Sequence, residues 1–299
     1  MTKQFEYTPK NAKEIIIRKF AFDFPEDLDP VWVPNNPVRS HLTNGLSLTM
    51  PYIEPFIIKS TLRAIEFISE EELLEDIRGF NRQEAQHYQC HRRLNDLLKA
   101  NGYPELGAVE QRISKSFERL SKRSLRTQLA YNAGFECMTN GFTHWFLTKR
   151  VELFKDASPH ITSFWLMHMV EEAEHNTVAF DVYMAYSGKY LPRVIGVFHG
   201  TFHIWGWGIV GMLTALKKDK ILLRPRTLLK ILQELGSAVL NVGPFMFRAL
   251  WPGYNPRQVC EPKWYDDWVA GHAAMGKDDP LPLVDTADPE MPVPFDKVA

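Results

Sequence analysis

Between Trp165 and Asp181 the chain reads WLMHMVEEAEHNTVAFD, and within it His168, Glu172 and His175 fall at i, i+4 and i+7. At 3.6 residues per turn those steps return to one helix face within about 40°. Two imidazoles and a carboxylate therefore stand in one column, amid largely apolar neighbours. A buried carboxylate without a partner is costly or takes up a proton. A metal cation is the partner this donor set suits, so the column demands both a helical setting and further ligands from elsewhere.

The rest of the sequence supplies a helical frame. Glu71 to Asn101 reads as a long helix stopped by Asn101-Gly102. A connecting helix follows from about Glu105 to Leu120, and a long one from about Leu125 to Phe154. Ser158-Pro159, an N-cap followed by an N1 proline, opens a helix running to about Ser187. Upstream, Ile57, Ile58, Leu62, Ile65 and Phe67 mark a helix within about Ser40 to Ser69, kinked or delayed by Pro51 and Pro55. Pro25, Pro30, Pro34 and Pro37 exclude a long helix before it, leaving Ile15 to Phe24 as a packed arm or a short strand. No strand alternation of comparable strength competes. The expected fold is all-α: residues 1–40 an irregular arm, 41–187 a four-helix metal-binding bundle, 188–275 an apolar helical extension packed on it, and 276–299 an extended tail rich in proline and acid.

Two of the long helices carry the same short motif. Glu84-Ala85-Gln86-His87 and Glu172-Ala173-Glu174-His175 are both Glu-x-x-His, a carboxylate and an imidazole one turn apart. A single copy says little. Two copies, each preceded by a helix bearing one isolated glutamate, have the make-up of a dinuclear carboxylate site between four helices. Glu54, in PYIEPFII, and Glu136, in AYNAGFECMTNGF, are those isolated acids. The oxygen and imidazole set suits two ions of iron or manganese, or of zinc.

Several neighbours qualify the set. Glu171 lies four residues before His175 and competes with Glu172 as ligand, although Glu-x-x-His favours Glu172. Glu174 and Asp181 share another face, as a solvated edge or as groups orienting a histidine. His91, one turn after His87, reads as structural or as lining the site. Asn132 and Asn140 flank Glu136 by one turn each way and are candidate hydrogen-bond partners for it. Cys90 and Cys137 read as buried small hydrophobes. Glu54 precedes Pro55, which biases it away from helical geometry and makes it the least secure carboxylate.

The order Glu, Glu-x-x-His, Glu, His-x-x-x-Glu-x-x-His is similar to that of the ferritin-like di-iron N-oxygenases, typified by p-aminobenzoate N-oxygenase. That resemblance implies Glu54, Glu84, His87, Glu136, His168, Glu172 and His175 as metal ligands in a ferritin-like bundle. In SHLTNGLSLTMPYIEPF, FNRQEAQHYQCHRRLN and HMVEEAEHNTVAFDVY the chain resembles more closely still a bacterial family labelled predicted metal-dependent hydrolases. The leading expectation is a non-haem di-iron enzyme that activates dioxygen to oxygenate or oxidise a small organic substrate, N-oxygenation included, with an electron donor as partner. The alternative is a dinuclear hydrolase using a metal-bridged water. A further alternative is a non-enzymatic metal-binding or membrane-associated protein.

Composition trims the list of partners. Basic and acidic residues balance at 35 and 36, so no overall field favours nucleic acid. Three scattered cysteines suit a reducing compartment, and the N-terminal residues lack a signal-peptide pattern, so the expected location is cytoplasmic. Val194 to Leu216 is 23 residues without Asp, Glu, Lys or Arg, broken by five glycines and followed by Lys217, Lys218, Lys220, Arg224 and Arg226. It reads as a helix covering the bundle, then as a peripheral membrane contact, and least as a span. A homodimer is compatible with this pattern.

Overall fold

The computed structural model describes residues 13–276 and 279–295. Among these every regular element is helical: α1 (Pro37–Ser47), α2 (Met50–Ala64), α3 (Glu71–Ala100), α4 (Leu106–Ser121), α5 (Leu125–Thr148), α6 (Arg150–Phe154), α7 (Pro159–Glu174), α8 (Val178–Tyr186), α9 (Tyr190–Lys218), α10 (Pro225–Ala249) and α11 (Lys263–His272), with short 3₁₀ turns at Ile65–Phe67 and Pro256–Gln258. The protein is all-α.

Helix α3 shows how the site is seated. Leu73, Ile77, Phe80, Glu84, His87, His91, Leu94 and Leu98 are all buried, at alternating steps of four and three residues. That alternation is the seam of a helix packed along its length. Glu84, His87 and His91 thus occupy core positions, continued at both ends by leucine, isoleucine and phenylalanine.

Three expected helices are interrupted. Leu48 and Thr49 separate α1 from α2, where the Thr49 N–H donates to Leu46 O in a tightened turn. Pro51 then sits in the first turn of α2, and Pro55 lies inside it without ending it. Lys149 separates α5 from α6. The helix expected to reach Ser187 stops at Glu174 and restarts at Val178, with the Val178 N–H donating to His175 O. This break falls on a proposed ligand; mid-helix tightening of this kind often marks a functional site.

The arm ahead of α1 forms no strand among its described residues, 13–36; it packs as irregular chain up to Phe24 and then turns at 26–27 and 33–35, while residues 1–12 lie outside the described part. Arg18, Phe20, Phe22 and Phe24 alternate inward and are buried. The C-terminal segment has no regular structure over 279–295 but docks on α7 and α6: the Val284 N–H donates to Ser163 Oγ and Arg150 Nε donates to Met291 O. Residues 277–278 and 296–299 of the expected tail lie outside the described part.

The glycines of Val194 to Leu216 are contact points. A Cβ on Gly196 would come within 1.9 Å of Ala130 O on α5, and one on Gly134 within 2.2 Å of Gly196 C. At the other end a Cβ on Gly211 would come within 2.8 Å of Gly45 Cα on α1. Helix α9 thus crosses α5 and α1 backbone to backbone. No helix among the described residues is long and apolar enough to cross a membrane. Gly196→Ala is expected to destabilise the protein by about 2–3 kcal/mol or more through overpacking against an immobile carbonyl. Urea unfolding measures this, and an unchanged midpoint would contradict the close crossing.

Candidate metal centre

Glu54 of α2, Glu84 of α3, Glu136 of α5 and Glu172 of α7 are all buried. Pro55 therefore does not turn Glu54 away from the interior. Both carboxylate oxygens of Glu54, Glu84 and Glu136, and Oε2 of Glu172, have no hydrogen-bond partner. Among the described residues, no Lys or Arg forms an ion pair with any of the four; the imidazoles of His168 and His175 lie against Glu54, Glu84 and Glu172. Burial first, and repulsion from Glu172 and Glu136 second, raises the Glu54 carboxyl well above the ordinary range. Glu84 and Glu136 are raised in the same way, by burial and then by Glu172. Burial pushes Glu172 up to about 8. Four acids forced together in a dry interior hold protons unless cations replace them.

Ligand atoms of Glu84, His87, Glu172 and His175 all lie within 4.8 Å of one another, and so do those of Glu54, His91 and His168. Two adjoining groups thus form where two ions were expected. Glu136 falls outside both, its carboxyl set against that of Glu172. Burial drives His168 and His175 down to about 3, so both rings are neutral and able to donate lone pairs.

The hydrogen bonds identify which nitrogen each ring offers. His87 Nε2 lies 2.8 Å from Glu171 Oε2, while its Nδ1 has no partner. With Glu171 ionised, a neutral His87 donates Nε2–H to it and presents the Nδ1 lone pair; burial raises the Glu171 carboxyl well above the ordinary range, so this arrangement is the one a bound cation would select. His168 is set by a longer chain. Asn95 Nδ2 donates to Ser47 O at 3.0 Å, which fixes its amide, so the Ser47 hydroxyl donates to Asn95 Oδ1 at 2.7 Å. With that hydrogen committed, Ser47 Oγ accepts from His91 Nδ1 at 2.8 Å. His91 Nε2 then accepts from His168 Nδ1 at 3.0 Å, leaving His168 Nε2 bare toward Glu172 Oε1, at 2.9 Å, and Glu54 Oε1, at 3.9 Å. Both His91 nitrogens are committed, so His91, although it falls in the second group, orients His168 and is not itself a ligand, which leaves that group as Glu54 and His168 with Glu172 Oε1 beside them. His91→Phe is expected to weaken metal binding about 10- to 100-fold while leaving the helix content unchanged. Competition with a chelator reads the loss, and unaltered affinity would sink the relay.

Beside the donor set one cation serves two acids. Arg18, buried on the N-terminal arm, donates to Glu174 Oε2 at 2.8 Å and lies 3.6 Å from Glu171 Oε1. Gln83 Nε2 also donates to Glu174, at 2.9 Å. Glu171 and Glu174 therefore share one cation, although burial still raises the Glu171 carboxyl well above the ordinary range, whereas the four inner acids have none. Phe20, two residues on, packs edge-on against His87 with centroids 4.6 Å apart. The arm closes this side of the centre.

The other neighbours divide. Asp181 pairs with Arg257 at 2.9 and 2.6 Å and orients no histidine. Asn132 donates to Ser60 Oγ, and Asn140 to the main-chain carbonyl of Glu136, so neither bonds the Glu136 carboxylate. Arg18, Ser47 and Asn95 escaped the sequence reading. Arg18 keeps the two-residue phase of Phe20, Phe22 and Phe24, and Asn95 is a buried polar residue one turn after His91 on α3, so both carried a signal. Ser47 carried none. Against His168 and Glu172 lies a small void of about 30 Å³, walled by Met50, Phe135, Met138, Phe142, Trp165 and Ile204 among others.

Residues 16–259 match the profile of a family described as predicted metal-dependent hydrolase. The chain belongs to this family. Its description agrees with a buried His/Glu cluster able to hold metal, and it favours the hydrolytic alternative over the dioxygen reading. Comparison with curated proteins and with solved structures gave no match. The likeness to ferritin-like N-oxygenases therefore has only the ligand order behind it.

Proposed function

We propose that this protein is a dinuclear metal-dependent hydrolase, with Glu54, Glu84, His87, Glu136, His168, Glu172 and His175 holding two cations in a ferritin-like arrangement of α2, α3, α5 and α7. The observation that carries the reading is the group of four buried carboxylates without a basic partner, facing neutral imidazoles, in a chain of this family. When bound, the cations would supply Lewis acidity toward water and toward the bond to be cleaved. The protein's own part is positional. Glu171 holds His87 by Nε2–H, His91 holds His168 by Nδ1–H, and Phe20 with the apolar wall of the void limits access of bulk water.

A second reading, dioxygen activation by iron with an external electron donor, is favoured by one feature. Four carboxylates around three imidazoles, beside a void with room for one or two small molecules, is a donor set that iron accepts readily. One experiment separates the two. Protein loaded in turn with zinc, manganese or ferrous iron is assayed on nitrophenyl esters and phosphates with and without air, while oxygen uptake is recorded. The hydrolytic reading expects turnover without air that is lost on chelation. Turnover confined to iron, with oxygen consumed, would replace it by the oxidative one.

A further inference from the structure

The outer sides of α9 and α10 carry nearly all the apolar surface of the chain. Of the large hydrophobic side chains exposed among the described residues, all but Leu62, Phe67 and Leu283 lie between Tyr190 and Trp251. Single exposed apolar residues are ordinary, whereas a contiguous patch marks an interaction surface. On α9, Leu191, Ile195, Phe198 and Phe202 follow one another by four, three and four residues, the rhythm of a packed seam, yet all four are exposed. The opposite side of α9 is the one whose glycines meet α5 and α1. On α10, Leu228, Leu229, Leu232, Val239, Leu240 and Phe247 fall within about 120° of one another around the helix axis. The two stripes border one groove and so form a single surface.

The charges around this surface have one sign. From Tyr190 to Trp251 the acids are Asp219 and Glu234, and both turn inward. Asp219 accepts from the Tyr103 hydroxyl at 2.8 Å and lies 2.8 Å from His41 Nε2, while Glu234 accepts from Asn36 at 2.9 Å and from Arg39 at 3.0 Å. Lys217, Lys218, Lys220, Arg224 and Arg226, at the turn joining the two helices, are exposed, and among the described residues none of them forms an ion pair. On α10 itself, Arg226, Lys230 and Arg248 fall on the arc beside the apolar stripe, and no acid does.

These two properties together select the occupant. A second copy docked through the same face would cover the leucines and phenylalanines but would bring no acid on that face to the cations. An anionic bilayer surface meets both needs at once, with acyl chains for the stripes and headgroup phosphates for lysine and arginine. No helix among the described residues is long and apolar enough to cross a membrane, so the contact lies along the surface. We propose that the joined outer faces of α9 and α10 are a peripheral membrane-docking surface, with the apolar stripes set into the acyl boundary of an anionic leaflet and the basic turn at 217–226 on its headgroups.

The test mixes the intact protein with vesicles of phosphatidylcholine, alone or with phosphatidylglycerol, and recovers bound protein by flotation. Recovery with the anionic vesicles is expected, declining as salt is added, with far less on the neutral ones. The triple variant Lys217→Gln, Lys218→Gln, Lys220→Gln is expected to weaken binding roughly fivefold for each cation removed. The double variant Leu232→Ser, Leu240→Ser changes exposed side chains only and is expected to weaken it at least tenfold at every salt concentration. Circular dichroism checks that both variants fold. Lipids brominated along the acyl chain should quench Trp251, which is 72% exposed, and Trp251→Phe should lose that part of the quenching. Failure to float with either vesicle would overturn the docking surface. Equal recovery with neutral and anionic vesicles that ignores the lysine variant would overturn it too, as would a dimer seen by light scattering that the leucine variant dissociates and that vesicles leave intact.

Discussion

Glu172→Gln is expected to stabilise the metal-free protein and to abolish its metal loading. Glu172 stands where the two ligand groups adjoin: it shares a group with Glu84, His87 and His175, and its Oε1 faces His168 of the other. Its carboxyl, pushed up to about 8 by burial, holds a proton at neutral pH when no cation is present, whereas in the unfolded chain it is ionised. That difference costs folding roughly 2–4 kcal/mol at neutral pH, which an amide of the same shape does not incur. The melting temperature of chelated protein should therefore rise by several degrees in the variant. Elemental analysis should meanwhile fall from both ions to one or none. Opposite signs in one substitution distinguish a ligand from an ordinary core residue, for which metal content would not move. A variant with full metal content and an unaltered melting temperature would contradict the assignment.

Chelation is expected to destabilise the protein far more at about pH 8 than at about pH 6. Glu54, Glu84, Glu136 and Glu172 have folded-state values above their ordinary one of about 4.3, so their contribution is complete below that value and is lost as pH rises through the folded values, about 8 for Glu172. His87, His91, His168 and His175 are lowered, so their contribution is complete above about 6.5 and is lost as pH falls, toward about 3 for His168 and His175. Between those limits the two sets oppose each other. Above about 6.5 only the carboxylates titrate, and metal-free stability should fall by about 1.4 kcal/mol per pH unit for each proton still held. Bound cations reverse the sign, since ligands bind them deprotonated. Thermal unfolding with and without chelator across this range measures the gap. A gap independent of pH would mean that the acids do not meet metal.

The sequence and the tertiary structure each contributed identifiable parts. Helical class was legible because long runs keep a three- and four-residue rhythm: Leu73 to Leu98 on α3 writes the buried seam directly, with Glu84 and His87 inside it. The pairing of Glu-x-x-His motifs with isolated acids was legible because an acid among apolar residues stands out against its surroundings. The break at His175 was not, since no proline or glycine precedes it and its cause lies in what surrounds the helix. The glycines of α9 were visible as a dilution of apolar character, but their use as crossing points needed α5 and α1 in place.

By itself, then, the chain determined the residue types of a metal cage and the helices that present them, because spacing along one helix is a local property. Which nitrogen each histidine turns inward, which acids receive Arg18, and that Ser47 anchors a relay ending on His168 were decided only when separate segments met. Hydrogen bonds between distant segments leave no periodic trace in the sequence, and three-dimensional proximity alone sets them.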